Sequence, residues 1–176
     1  MRGQLSLLPL LDAVLDAVGT PVVAAGGIAT ARGVAAVLAA GASAARLGTR
    51  FVATLEANAH PEYVDALLRA SADDTALTTA FSGMWPDAPH RVLRSCIEAA
   101  QDIDDEIVGE MSVGAERVPV PKLSVPSPSR DASGAIAAMA LYAGESVGAV
   151  TKVAAAGDVV RELAEGAERL LRAAGS

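Results

Sequence analysis

A chain of 176 residues with 52% hydrophobic residues can bury a core, but with only 3% aromatics that core must rest on Ala, Val and Leu. Its net charge of −7 argues against nucleic acid or an anionic membrane as a partner. A single cysteine, Cys96, excludes an internal disulfide and fits a reducing cytoplasm, and no apolar stretch reaches the ~18 residues of a membrane span.

In chain order, Ser6 and Pro9 open a helix running to Val18. Leu7, Leu8, Leu11, Val14, Leu15 and Val18 form its apolar stripe, while Asp12 and Asp16 point away and interrupt the apolar region, so this stretch does not resemble a signal peptide. Pro21 to Ala25 reads as a buried strand, broken by Gly26-Gly27. Thr30 is placed to cap a helix over Ala31 to Ala40, which carries only Arg32 as a charge and should be largely buried. Gly41 stops it, Ala44 to Leu47 resumes an extended run, and Gly48-Thr49 ends that run. Strand, helix, strand at this spacing is a βαβ unit with parallel strands.

Both glycine breaks fall at the carboxyl ends of strands, where α/β folds place ligands. Glycine lets backbone N–H groups approach an anion closely, so GG and GT side by side suggest a phosphate cradle. Either break alone reads first as a tight βα turn; their pairing in one βαβ unit puts the anion site on an equal footing.

Beyond Phe51, His60-Pro61 opens a helix to about Ala70, with Tyr63, Leu67 and Leu68 inward. Ala76 to Phe81 and Val92 to Cys96 read as short strands around the loop Ser82 to His90, and Cys96 as a small buried hydrophobe. Glu98 to Met111 reads as an amphipathic helix whose acids form a solvated face rather than a metal site. Residues 112–130 lose periodicity and hold four of the nine prolines, which suggests an extended excursion. Asp131 is read as capping a helix to Leu141, Tyr142 to Gly148 as a turn, and Asp158 to Ala174 as the last helix. That last helix has a stripe at 159, 160, 163, 167, 170 and 171, with Glu165–Arg169 and Glu168–Arg172 paired outside.

No serine elbow, zinc motif or P-loop lysine is present. The two histidines, His60 and His90, both neighbour prolines in loops or caps and read as surface or capping residues, away from the strand ends.

The run PVVAAGGIATARGVAAVLAAGASAARLGTRFVAT, followed by HPEYVDALL, DTALTTAFSG, RVLRS and MALYAGESVGAV, resembles the nitronate monooxygenase family (2-nitropropane dioxygenases). The resemblance implies an FMN-binding (β/α)8 TIM barrel with an inserted small α/β lobe, of which this chain would be the carboxyl-terminal half. It implies barrel over 1–52, the inserted lobe and proline-rich connection over 53–130, and closing helices over 131–176. Gly26, Gly27, Gly48 and Thr49 match the positions that hold the FMN phosphate, with Arg46 and Leu47 beside them. Such a barrel needs about 250 residues, and only two of its strands are found here. In the family an earlier half supplies six strands and a catalytic histidine, which would fall at Met1, so no catalytic residue is assigned. Glu145 and Arg46 stand where the family often has glutamine, which alters the pocket's charge.

Three functions are compatible with these residues. The first is an FMN-dependent oxidoreductase that oxidises alkyl nitronates, or nitroalkanes, using O2, here without its base. The second is an inactive remnant or phosphate-ligand-binding module. The third is an FMN-dependent enoyl-thioester reductase of the same barrel group. Two parallel strands with open edges further predict pairing with the missing barrel half or a homo-oligomer.

Overall fold

A computed structural model describes residues 5–83 and 85–175; Met1, where the family histidine would align, lies outside them. Helix α1, Leu7–Ala17, starts after Ser6, which makes no side-chain cap, and buries Leu11. Its inner stripe is narrower than the pattern predicts, since Leu8 and Val18 are exposed. α1 packs on the expected βαβ unit, with Leu11, Ala24, Ile28, Val37 and Ala42 forming one apolar cluster.

In that unit, β1 (Val23–Ala25) and β2 (Ala44–Arg46) flank α2 (Ala31–Ala39). The strands are parallel, with Val23 opposite Ala44 and Ala25 opposite Arg46. Thr30 Oγ1 accepts from the Gly33 N–H at 3.2 Å, so the predicted cap forms. Gly41 leaves α2 at a φ of 101°, a conformation glycine adopts without strain. α2 is less buried than its composition suggests: Ala35 and Val37 are buried, while Arg32, Ala36 and Ala39 are not. One of its sides is covered by α6 (Ala156–Ala174), which approaches so closely at Gly166 that a Cβ there would lie 2.6 Å from the Ala31 Cβ.

After a single turn, α3 (Thr49–Val52), the chain enters α4 (Pro61–Arg69). His60 caps α4 as expected, its Nδ1 accepting from the Glu62 N–H at 3.2 Å. Tyr63 and Leu67 are buried and Leu68 is half-buried. β3 (Thr75–Thr78) and β4 (His90–Leu93) pair antiparallel, each shifted from the strand predicted for it. Cys96 therefore lies not on a strand but on α5 (Arg94–Gln101), and it is fully buried as expected.

The helix expected over Glu98 to Met111 ends at Gln101, and β5 (Ile107–Val113) replaces its second half. Asp102, Asp104 and Asp105 are poor helix formers, and Ile107, Val108 and Val113 favour a strand. The expected aperiodic excursion contains β6 (Glu116–Pro121), joined to β5 through a turn with Gly114 at a φ of 65°. In the order β6-β5-β7, with β7 at Ser133–Gly134, β6 is an edge strand, and this is where a sheet tolerates Pro119 and Pro121.

Asp131 does not cap a helix. Its carboxylate accepts from the Ser112 N–H at 3.0 Å and the Ser129 hydroxyl at 2.7 Å, and it pairs with Arg117. In place of that helix the chain forms β7, a 3-10 turn at Ile136–Ala138, a buried extended run and a 3-10 helix at Glu145–Ala149. The expected closing helices thus reduce to α6, which starts two residues before Asp158 and carries both predicted Glu–Arg pairs. The largest apolar cluster joins Tyr63, Leu67, Phe81, Val92 and Cys96 to Leu141 and Val147. No helix among the described residues is long and apolar enough to cross a membrane.

Candidate functional site

β1 and β2 run side by side, so their carboxyl ends deliver Gly26-Gly27 and Gly48-Thr49 to one place. Both glycines of the first pair have positive φ, 105° and 69°, which bends the chain sharply before α2. A Cβ added at Gly27 or Gly48 would meet nothing within 4 Å. Open space therefore begins at the backbone itself, as an anion cradle requires.

A third glycine, not singled out from sequence, completes this wall. The Gly144 N–H donates to Thr49 Oγ1 at 2.9 Å. A Cβ on Gly144 would sit 3.5 Å from Thr49 Oγ1 and 4.0 Å from the Gly27 nitrogen. Thr49 thus ties the closing segment against the strand ends and retains a hydroxyl hydrogen to donate.

These residues line a cavity of about 1190 Å3, open on one side. Of the six candidate positions, Gly26, Gly27, Leu47, Gly48 and Thr49 line it; Arg46 is exposed on β2 and does not. The opposite wall comes from the 53–130 stretch. There His90 lies between Trp85 and Tyr142, with ring centroids 6.3 Å and 5.4 Å away, the first edge-on. The sequence pattern sets His90 away from the strand ends, yet it lines the same cavity, because β4 runs alongside the Tyr142–Gly144 segment: Val92 bridges to Tyr142, and the Ala143 N–H donates to the Arg91 carbonyl at 3.1 Å.

Two partly buried hydrogen bonds stiffen this wall. The Tyr63 hydroxyl donates to the Tyr142 carbonyl, and the Tyr142 hydroxyl to the Val125 carbonyl, each at 2.6 Å. Burial raises the pKa of both phenols, so they stay protonated as donors. Arg91 extends from the same strand, its Nη1 donating to Thr75 Oγ1 at 3.1 Å and its Nη2 meeting Glu145 Oε1 at 2.8 Å. Only the glycine punctuation is legible in the sequence. Gly144, Arg91 and the aromatic wall are brought in by contacts between residues distant along the chain.

Chemically, the cavity combines a glycine-rich backbone rim, an aromatic wall bearing one imidazole, and one internally paired cation. Among the described residues no group of three His, Cys, Asp or Glu could hold a metal ion.

A family model described as nitronate monooxygenase matches residues 1–166. A Bacillus subtilis (strain 168) protein named "Probable nitronate monooxygenase" is 42% identical over 82 residues, covering 47% of this chain and 24% of the relative. A Mycobacterium tuberculosis (strain ATCC 25618 / H37Rv) protein, named a 5-hydroxy-7a-methyl-1-oxo-octahydro-1H-indene-4-carboxyl-CoA dehydrogenase, is 43% identical over 96 residues, covering 53% of this chain and 26% of the relative. The structure of nitroalkane oxidase from Streptomyces ansochromogenes superposes with a TM-score of 0.67 at 30% identity, covering 98% of this chain and 46% of that one. The chain thus spans about half the length of that solved structure, and the matched segments about a quarter of the two curated relatives.

Proposed function

The chain belongs to the nitronate monooxygenase family, and from that membership we propose that it supplies the phosphate-holding side of an FMN-dependent oxidoreductase acting on nitronates or nitroalkanes. The observation that carries this is the open space at the backbone of Gly27 and Gly48, with Gly144 packed on Thr49 at its edge, beside a cavity with room for more than a phosphate. The N–H groups at Gly27 and Gly48 and the Thr49 hydroxyl, which the Gly144 N–H holds in place, would hold the FMN phosphate. Bound FMN would accept two electrons from the substrate and pass them to O2.

The finer fold we propose is the carboxyl-terminal part of a (β/α)8 barrel, with 53–130 as an inserted lobe. Val23 on β1 is 56% exposed, although parallel strands are normally covered on both faces. Further barrel strands would cover it. His90, Trp85 and Tyr142 would form the side of the site facing the substrate, with Tyr63 and Val125 holding Tyr142 in place.

A thioester substrate is the second reading. It is favoured by the cavity's volume of about 1190 Å3 and by the CoA ester named for the mycobacterial relative.

The test is binding of FMN against riboflavin to the full chain and to Gly48→Val. Gly48 has a negative φ of −105° and open space around it, so the variant should fold normally. Wild type should prefer FMN, and Gly48→Val should lose the preference. Equal affinity of wild type for both flavins overturns the cradle.

A further inference from the structure

Taking the cavity as the substrate site of the proposed oxidoreductase, we infer that Glu145 sets the charge of the substrate: by neutralising Arg91 it makes the cavity select a neutral substrate over its anion.

Arg91 and Glu145 are the only Asp, Glu, Lys or Arg side chains among the described lining residues. They meet at 2.8 Å. Each is held from its own side. Arg91 stands on β4 opposite Leu77, with its Nη1 on Thr75 Oγ1 at 3.1 Å. Glu145 opens the 3-10 helix directly after Gly144, which Thr49 fixes at the strand ends. The ion pair therefore bridges the aromatic wall to the glycine rim.

Without Glu145, Arg91 would turn a free cationic Nη2 arm to a carboxylate or a nitronate, with Nη1 still held by Thr75. With Glu145 present, the Nη2 arm already meets a carboxylate while Nη1 stays on Thr75. An arriving anion would have to displace Glu145 and then lie beside it, like charge against like charge. A phosphate held at the glycine rim would add negative charge on the same side. Leu77, Ala88 and Pro89 complete the neighbouring wall without charge, which suits a neutral, apolar body. For a compound that exists as a neutral carbon acid and as its anion, this wall favours the carbon acid.

Trp85 is the only tryptophan and lines this cavity, so its fluorescence reports ligand arrival without a bound flavin. The probes are butyramide and butyrate, near-isosteres that differ in charge, titrated at pH 8 into the full chain with and without FMN. Wild type should bind butyramide more tightly. Glu145→Gln should raise the butyrate-to-butyramide affinity ratio about threefold, the scale of an ion pair whose Glu145 side chain is 65% exposed. Adding Arg91→Gln to that variant should return the ratio to the wild-type range. A ratio unmoved by Glu145→Gln, a gain that survives loss of Arg91, or no Trp85 response to either probe overturns the inference. A chain that shows the charge ratio but binds FMN no better than riboflavin overturns the cofactor reading alone.

Discussion

The backbone N–H of Gly144 donates to the side chain of Thr49 across 95 residues of sequence, at 2.9 Å, and this single bond joins the closing segment to the β2 end. Thr49→Val keeps the shape but removes the acceptor, leaving a partly buried donor unpaired. The expected cost is about 1 kcal/mol in stability, measured by urea unfolding. FMN affinity should also fall several-fold, because the rim loses both a donor and its register.

Gly109 permits the contact between β5 and β7. A Cβ there would lie 2.0 Å from the Ser133 carbonyl oxygen and 2.7 Å from Met139 Cε. The first of these is backbone and cannot swing aside. Gly109→Ala should therefore separate β7 from β5 and destabilise the chain by about 2 kcal/mol or more. Amide exchange should show the loss at Ala135, whose N–H donates to the Val108 carbonyl.

Asp131 gives a pH dependence of definite sign. Hydrogen bonds from Ser112 first, then Ser129, hold its carboxyl well below the ordinary carboxylate range. A depressed native pKa means its stabilisation is complete above the unfolded value, about 3.9, and is lost as pH falls below that. Asp131→Asn should thus be less stable than wild type at pH 7, with the difference shrinking progressively below about pH 4. A difference that is constant down to acid pH would contradict this.

Cys96 should be chemically silent in the folded chain. It is fully buried, and burial pushes its thiol up to about 11. Reaction with a disulfide reagent at pH 8 should track unfolding, rising sharply in denaturant; a fast native-state reaction would show that α5 opens readily.

From the sequence alone, local order is legible wherever the signal repeats within a few residues. Glycine punctuation and an apolar run determine β1, α2 and β2, the Thr30 and His60 caps lie beside the helices they open, and α6 shows itself by its helical spacing, though of the predicted stripe Val159, Leu163 and Ala167 are buried while Val160 and Leu170 are exposed. The same punctuation locates the strand-end glycines. Tertiary structure alone decides what faces them. The β5–β6 hairpin is hidden because its prolines are tolerable only on an edge strand, and which strand is an edge depends on the whole sheet. Asp131 looks like a cap because its partners, Ser112 and Arg117, are far back in the chain. His90, Arg91, Gly144 and Glu145 likewise form one wall only because β4 runs alongside the returning segment, and contacts between residues fifty or more apart leave no periodicity to read.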